Sequence, residues 1–297
     1  MKLDHAERFE TLRPTLVRHA YRMLGQYGDA EDAVQDAYLR WRDAVQKTAI
    51  EDDQAFLRTT VTRLCLDRLR SARVKREVYV GPWLPEPVVS NNADDPQAAA
   101  TLADDISFAL LLALERLAPL ERAAFLLHDV LDVPFIEVAQ TLGRSEPAVR
   151  KLASRARDHV RDENRHATQN RDDLLRVRDA LLEAVTNEDP VALQQLLTSD
   201  VVYMSDGGGK VPAATVPVAG RDRVTQLLIG LKKKGMAQVS RIELVTLNGL
   251  PGMVLFDQNG NVRDAIALEI ADGLIAAMYN TRNPEKLHTV GEQLSHS

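Results

Sequence analysis

Basic side chains gather on one short segment of the chain, where they could bind a phosphate backbone. Over 134–162 the sequence predicts a short helix, a glycine turn and a longer helix, which is the layout of a helix-turn-helix. Arginines on such a helix can bond guanine edges in a major groove, and lysines neutralise phosphates. The alternative is a surface helix with solvated charges. The predicted DNA contacts are Arg144, Ser145, Arg150, Lys151, Ser154 and Arg155.

A second basic cluster lies on a long predicted helix over 53–78. Residues 58–76 contain seven basic side chains and a single acid, Asp67, so this helix resembles a surface that follows a phosphate backbone. A merely solvated charge run is the alternative interpretation. The predicted contacts are Arg58, Arg63, Arg68, Arg70, Arg73, Lys75 and Arg76.

The predicted helix over 29–45 carries the opposite charge. Such an acidic patch is unsuited to DNA, but it could dock on a basic protein surface. It could also be an acidic first helical turn that suits the helix dipole. The predicted docking residues are Asp29, Glu31, Asp32, Gln35, Asp36, Tyr38 and Trp41.

The elements that position these residues are helical through the first 165 residues. Apolar periodicity predicts helices over 9–24, 29–45, 53–78, 108–117, 120–130, 134–142 and 145–162. The stretch 81–87 holds three prolines, which cannot continue a helix. We therefore predict a helical domain over 1–79, a linker over 80–104 and a helix-turn-helix domain over 105–165.

The pattern changes after a polar stretch at 164–170, and a domain over 171–290 is predicted. Three amphipathic helices, over 174–185, 191–197 and 224–231, come first. Alternation of apolar and polar residues follows, and it is interrupted at Asp264, which we interpret as lying at a strand edge. Turn pairs such as Asn248-Gly249 separate the runs. An antiparallel meander covered by helices is expected, so the fold class is multidomain, with two all-α domains and an α+β domain.

Bulk properties exclude several classes of protein. No run of eighteen apolar residues is present, so no membrane span or membrane partner is expected. One cysteine, Cys65, excludes an internal disulfide and a cysteine-rich zinc site, and a cytoplasmic location is expected. No catalytic residue, metal or cofactor is predicted. The tail contains three carboxylates that could take part in catalysis, Asp206, Asp264 and Glu269, but their spacing does not indicate an acid–base pair.

The three charged segments together resemble a known family. Residues 29–41 are similar to region 2.2 of RNA polymerase sigma factors of the extracytoplasmic-function (ECF) type, the part that binds the polymerase clamp. Residues 56–70 resemble regions 2.3 and 2.4, which open the −10 promoter element. Residues 117–127 and the helix-turn-helix resemble region 4, which reads the −35 element. The resemblance implies core RNA polymerase, through its β′ clamp and β subunits, and promoter DNA as partners.

Three further motifs resemble the SigJ-like ECF subgroup, in which a SnoaL-like domain of the NTF2-like fold follows region 4. They occupy residues 83–87, 206–210 and 283–287. The resemblance implies that the tail tunes sigma activity in cis by contacting region 2 and the linker. The residues implied in this regulation are Trp83, Pro85, Asp206, Gly207, Lys210, Asn283, Pro284, Lys286 and Leu287.

Two other function classes stay open at this point. A stand-alone helix-turn-helix regulator would not need the 29–41 and 56–76 segments and would usually dimerise on a palindrome. A tail that binds or processes a small molecule would need a site that the sequence does not reveal. The net charge of −6 further predicts weak DNA binding without the polymerase.

Overall fold

The structure is a computed structural model and describes residues 5–76, 79–89, 108–161, 171–235 and 238–295. Within these residues, no helix combines the length and apolar character needed to cross a membrane. The chain divides into two compact units. One comprises Met1–Glu77 and Ala109–Asn164, and the other comprises Val78–Phe108 and Arg165–Ser297.

The first unit begins with three helices, α1 (His5–Leu24), α2 (Tyr27–Lys47) and α3 (Asp53–Arg76). Gly25 takes a φ of 70° and ends α1, as the sequence predicted. Tyr21, Val34 and Leu57 are buried where the three helices meet. The predicted end of the third helix, at residue 78, lies outside the described residues.

The same unit continues, from Ala109 onward, with α4 (Phe108–Glu115), α5 (Pro119–Phe125), a π-helical turn (Leu126–Val130), α6 (Phe135–Leu142) and α7 (Glu146–Arg161). Pro119 takes the first helical position, where its missing N–H is not needed. The predicted helix over 120–130 is therefore an α-helix that widens into a π turn.

The second unit contains α8 (Arg171–Thr186), α9 (Pro190–Leu196), β1 (Leu197–Asp206), β2 (Val218–Ala219), α10 (Arg221–Gly235), β3 (Arg241–Leu247), β4 (Leu250–Phe256), β5 (Val262–Ala271), β6 (Leu274–Thr281) and α11 (Pro284–Ser295). The strands form one sheet of order β2-β1-β6-β5-β4-β3. Strands β3 to β6 are the predicted meander. The sequence analysis did not predict β1, which pairs with β6 in parallel.

Different helices pack against the two faces of this sheet. Leu181, Leu193 and Val224 of α8, α9 and α10 share a core with Tyr203 and Met278 on one face. On the other face, α11 packs on β5. The α+β class of this domain is as predicted, and its helix-covered sheet agrees with the NTF2-like fold that the resemblance implied.

Asp264 corrects one sequence interpretation. It lies inside β5 rather than at a strand edge, with Leu255 of β4 as its register partner. Its side chain is buried and forms an ion pair with Arg282, with 2.7 Å between Arg282 Nε and Asp264 Oδ1. A carboxylate can occupy this apolar face because the nearby cation offsets the free-energy cost of burying its charge.

Candidate nucleic-acid interface and linker contacts

Helices α6 and α7 form a helix-turn-helix. Gly143 joins them with a φ of 62°, which closes α6 in the left-handed conformation. Val138, Val149 and Ala153 are buried between the helices, and Val160 extends this face. The buried stripe of α7 turns the remaining side chains of the helix outward.

Four of the predicted −35 contacts lie on that outward face, and the other two, Arg144 and Ser145, lie in the turn before α7. All of them are exposed, which a major-groove contact requires. Arg150 pairs with Glu146 at 2.6 Å, and Arg155 with Glu121 at 3.0 Å. The Arg150–Glu146 pair is solvent-exposed and contributes little to stability, so a phosphate can replace Glu146 at low cost. The exposed residues are Arg144, Ser145, Arg150, Lys151, Ser154 and Arg155.

Arg58 and Arg63, two of the predicted −10 contacts on α3, are occupied by the helix-turn-helix. Arg58 pairs with Glu137 at 3.1 Å. Arg63 donates to the carbonyl oxygens of Thr141, at 3.0 Å, and of Gln140, at 3.1 Å. Both arginines therefore hold α3 against α6, a role that the sequence did not reveal.

The rest of the α3 cluster is divided. Arg68 donates to the carbonyl oxygen of Asp29 at 2.7 Å and pairs with Asp36 at 3.0 Å, so it ties α3 to the acidic helix α2. Arg70 is exposed and pairs with Asp67. The side chains of Arg73, Lys75 and Arg76 lie outside the described residues. The described part of α3 thus carries both paired and exposed cations, and its role in binding the −10 element stays a prediction.

The acidic helix α2 presents Asp29, Asp32, Gln35 and Asp36 to solvent. Glu31 pairs with Arg13 at 3.0 Å, and the half-buried Tyr38 packs on Phe9 with the ring centroids 4.6 Å apart.

Trp41 was assigned wrongly to the docking surface. It is fully buried, and its indole Nε1 donates to Asp53 Oδ1 at 2.9 Å. The large apolar ring belongs to the core of the three-helix unit, and its N–H is satisfied there.

Arg122 is a buried residue that the sequence interpretation missed. Its Nη1 donates to Glu115 Oε1 and to the carbonyl oxygen of Met23, each at 2.7 Å. One guanidinium thus joins α5, α4 and the end of α1 within the first unit. An arginine at an apolar-face position of a helix is the signal that could have identified it.

In the second unit, the linker residues 79–89 lie against the sheet around Asp206. The Asp206 side chain is fully buried, and its Oδ1 accepts from Tyr79 Oη at 2.6 Å. Its Oδ2 accepts from Leu84 N at 2.9 Å and from Lys286 Nζ at 2.7 Å. Lys286 also donates to the Leu84 carbonyl oxygen at 2.5 Å and lies 4.0 Å from the Trp83 ring centroid. We call Tyr79, Leu84, Asp206 and Lys286 the latch.

The latch explains the conformation of the loop that follows β1. Asn283 donates from Nδ2 to Tyr79 Oη at 3.0 Å, and the Asn283 and Arg282 amides donate to the Asp206 carbonyl oxygen. At Gly208, which has a φ of 60°, an added Cβ would lie 2.4 Å from Asn283 Nδ2. Glycine is therefore required for the loop to approach Asn283 this closely.

Further along, the linker behaves as a short extra strand. Val88 N donates to Asn248 Oδ1 at 3.0 Å, and Asn248 N donates to the Val88 carbonyl oxygen at 2.9 Å. Val89 N donates to Gln293 Oε1 of α11 at 2.8 Å. Asn248 was predicted as a turn residue alone, and it also holds the linker.

The remaining motif residues differ in exposure. Pro85, Gly207, Asn283 and Leu287 are buried, whereas Pro284 is exposed. Lys210 is also exposed and pairs with Glu285. The structure thus brings the three motifs together around a buried ion pair. Their role in regulation stays a prediction.

Burial changes the chemistry of several groups. Burial, and then the hydrogen bond to Asp206, raises the pKa of Tyr79, so its hydroxyl keeps its proton and donates. Burial also raises the pKa of Cys65 to about 12, so its thiol is inert at neutral pH.

Two family models match the first unit. The Sigma-70 region 2 model matches residues 8–74, and the Sigma-70, region 4 model matches residues 107–160. The ECF RNA polymerase sigma factor SigJ of Mycobacterium tuberculosis is 41% identical over 289 residues, which cover 94% of this chain and 91% of the relative. The chain belongs to the ECF RNA polymerase sigma factors.

Two further comparisons extend over the tail. SigI of Mycobacterium tuberculosis, a probable ECF RNA polymerase sigma factor, is 31% identical over 285 residues. The matched region covers 95% of this chain and 94% of SigI. The crystal structure of Mycobacterium tuberculosis SigJ matches with a TM-score of 0.75 at 38% identity, over 96% of this chain and 98% of that one. As a sigma factor, the chain has core RNA polymerase and promoter DNA as its partners.

Proposed function

We propose that the tail domain of this sigma factor restrains transcription in cis by retaining the linker through the latch. The observation that carries this proposal is the buried ion pair of Asp206 with Lys286, which binds both backbone groups of Leu84. Region 2 and the linker are the targets that the family resemblance implied. The contacts that support the proposal are those to the linker.

The energetics of a buried ion pair favour retention of the linker. Asp206 is 0% exposed and the Lys286 side chain 2% exposed, so both charges have lost their hydration. Such a loss is offset only when the remaining donors and acceptors are satisfied. Tyr79 Oη and the Leu84 amide and carbonyl supply those partners, and release of the linker would remove all of them together.

The linker's burial explains why retention would restrain transcription. Leu84, Val88 and Val89 are each at most 8% exposed against the tail. In the polymerase complex, we expect the acidic face of α2 to dock on the β′ clamp and the linker to run toward the active-site side. A linker that lies in the tail domain is unavailable for that path until the latch opens.

A second restraint lies within the first unit. Arg58 and Arg63 contact α6, so the predicted −10 and −35 modules are packed together. We propose that this closed arrangement, together with the acidic net charge, keeps the isolated chain a weak DNA binder. The polymerase would separate the modules. The −10 contacts would come from Arg58, Arg63, Arg70, Arg73, Lys75 and Arg76, and the −35 contacts from the outward face of α7.

We propose no catalytic role for the tail. Among the described residues that line its cavity there is no histidine, and Asp264 is held by Arg263 and Arg282. Asp206 is engaged by the linker and lies outside that set. Neither carboxylate is placed as a general base with an available acid partner.

The experiment is run-off transcription with core RNA polymerase and Lys286→Met. Removing one partner of a buried pair costs several kcal/mol, and a loss of about 1.4 kcal/mol already changes an equilibrium tenfold. We expect the variant to give about tenfold more transcript than the wild type. Lys233→Met is the matched control, because Lys233 lies outside the three motifs, is 63% exposed and pairs with Glu188 at the surface. Equal transcript from Lys286→Met and wild type would refute the latch.

A further inference from the structure

The tail domain encloses a cavity of about 520 Å³ between its helices and the sheet face opposite the linker. Most of its wall is apolar and comes from α8, α10 and the sheet. Leu181, Leu227, Leu228, Met253 and Met278 are representative. A cavity of this size and character can bury most of a small organic molecule.

A buried polar cluster interrupts the apolar wall. Tyr203 of β1 and Asn280 of β6 are 3% and 4% exposed, and both line the cavity together with Asp264. Asn280 Nδ2 donates to Tyr203 Oη at 2.9 Å and to Asp264 Oδ1 at 3.1 Å. Polar groups placed in this way orient a ligand inside an otherwise apolar site.

One acceptor of this cluster is unsatisfied. The bond from Asn280 to the Asp264 carboxylate fixes the orientation of the amide, because a carboxylate oxygen accepts and cannot donate. Asn280 Oδ1 is then buried and receives no hydrogen bond from any residue that the structure describes. A buried acceptor without a partner is destabilising, and a ligand that donates to it removes this cost.

The surroundings of the cluster carry more positive than negative charge, because Asp264 pairs with two arginines, and Lys232 and Lys234 also line the cavity. Arg282 Nε lies 2.7 Å from Asp264 Oδ1, and Arg263 Nε lies 3.2 Å from Asp264 Oδ2. A cationic head group would meet these guanidinium groups. A carboxylate head group could approach the cations, but it has no proton to donate to Asn280 Oδ1. A neutral hydroxyl or amide N–H can donate to Asn280 Oδ1 and adds no charge to the site.

We propose that this cavity is a binding site for a small, largely apolar molecule that carries a neutral hydroxyl or amide N–H at one end. The apolar body lies among the leucine and methionine side chains. The O–H or N–H of the head group donates to Asn280 Oδ1. This site is independent of the latch proposal, because binding is measured without polymerase or promoter.

The test uses the full chain with ¹³C-methyl-labelled methionine and three probes: 2-naphthol, naphthalene and 2-naphthoate. Met253 and Met278 line the cavity, whereas Met23 is buried in the helical unit and serves as the internal control. We expect 2-naphthol to shift the Met253 and Met278 methyl signals saturably and to leave Met23 unchanged. We expect naphthalene and 2-naphthoate to bind about tenfold more weakly, since neither can donate to Asn280.

Two variants locate the probe. Leu227→Trp fills the cavity and should abolish the shifts produced by 2-naphthol. Val191→Trp adds the same ring at a position that is 63% exposed and outside the cavity, and it should leave binding intact. If Leu227→Trp does not fold, the wild-type titration still decides. Absence of saturable Met253 and Met278 shifts, or equal affinity for all three probes, would overturn the proposal.

Discussion

Burial divides the charged residues of this chain into two groups. On the outward face of α7, Arg150 and Lys151 are exposed and can exchange their present surroundings for a phosphate. Arg122 and Lys286 are buried and bond to backbone carbonyl oxygens, so they hold segments together. The two groups cannot be told apart from the sequence, because the spacing of basic residues does not show which side chains are buried.

His19 gives a prediction at this scale. It is buried beside Thr62, at 2.8 Å between Nε2 and Oγ1. Burial, followed by the charges of Arg22 and Arg58, lowers its pKa from 6.5 to about 3. Since the unfolded chain binds this proton more readily, stability is full above pH 6.5 and falls as the pH drops toward 3. Urea unfolding should show a loss of about 1.4 kcal/mol per pH unit from this residue.

His19→Gln is the control for that measurement. Glutamine can still donate to Thr62 and does not titrate, so the variant should lose less stability between pH 6.5 and pH 5 than the wild type. The expected difference over this range is about 2 kcal/mol. Parallel pH profiles for the two proteins would mean that His19 is not the titrating group.

At the scale of elements, α3 and α6 are held together by few contacts. Arg58 and Glu137 form an ion pair whose side chains are 18% and 46% exposed, and such pairs contribute less than about 1 kcal/mol. Loss of the pair should therefore favour separation of the modules modestly. We expect Glu137→Gln to raise the promoter affinity of the isolated chain about twofold to fivefold, measured by fluorescence anisotropy.

Glu146→Gln is matched to this variant. Glu146 is also an acid of the helix-turn-helix paired with an arginine, Arg150, but that pair lies within α7 and does not touch α3. Both changes remove the same charge near the DNA. If the two variants raise affinity equally, the effect is electrostatic attraction alone, and the α3–α6 contact does not limit binding.

Much of the element pattern was predictable from the sequence, and the failures have physical causes. Helices with an apolar stripe and a glycine end, such as α1 and α6, were predicted close to their bounds because both signals are local. Strand β1 was missed, since its pairing with β6 joins residues that are distant in sequence. Asp264 and Trp41 were misassigned because their partners, Arg282 and Asp53, are set by tertiary packing.

At the scale of the molecule, the linker connects the sigma regions in sequence while it packs with the tail. Val89 forms a bridge with Leu247 at the end of β3, and Gln293 of α11 binds the Val89 amide. The sheet face that carries Asp206 thus holds the linker. Ser205, the preceding residue on β1, lines the cavity on the opposite face. Adjacent residues of one strand therefore border the latch and the proposed ligand site.

A reversible lock tests whether the linker must leave the tail. Val89 and Leu247 are antiparallel bridge partners, and such partners have Cα atoms about 4.5–5.5 Å apart, within the range of a disulfide. Val89→Cys combined with Leu247→Cys should abolish run-off transcription when oxidised and restore it on reduction. The native Cys65 is buried with its pKa raised to about 12, so it should not compete in the exchange.

The reduced form of the same protein is the control, because it carries both substitutions and differs only in the covalent bond. Any stability lost by replacing the buried Leu247 is common to both states, so a difference in transcription reports release of the linker. If linker release is required, Lys286→Met should not rescue the oxidised form, since the disulfide retains the linker when the latch is broken. Oxidised protein that transcribes as well as reduced protein would show that the polymerase accepts the linker while it remains bound to the tail.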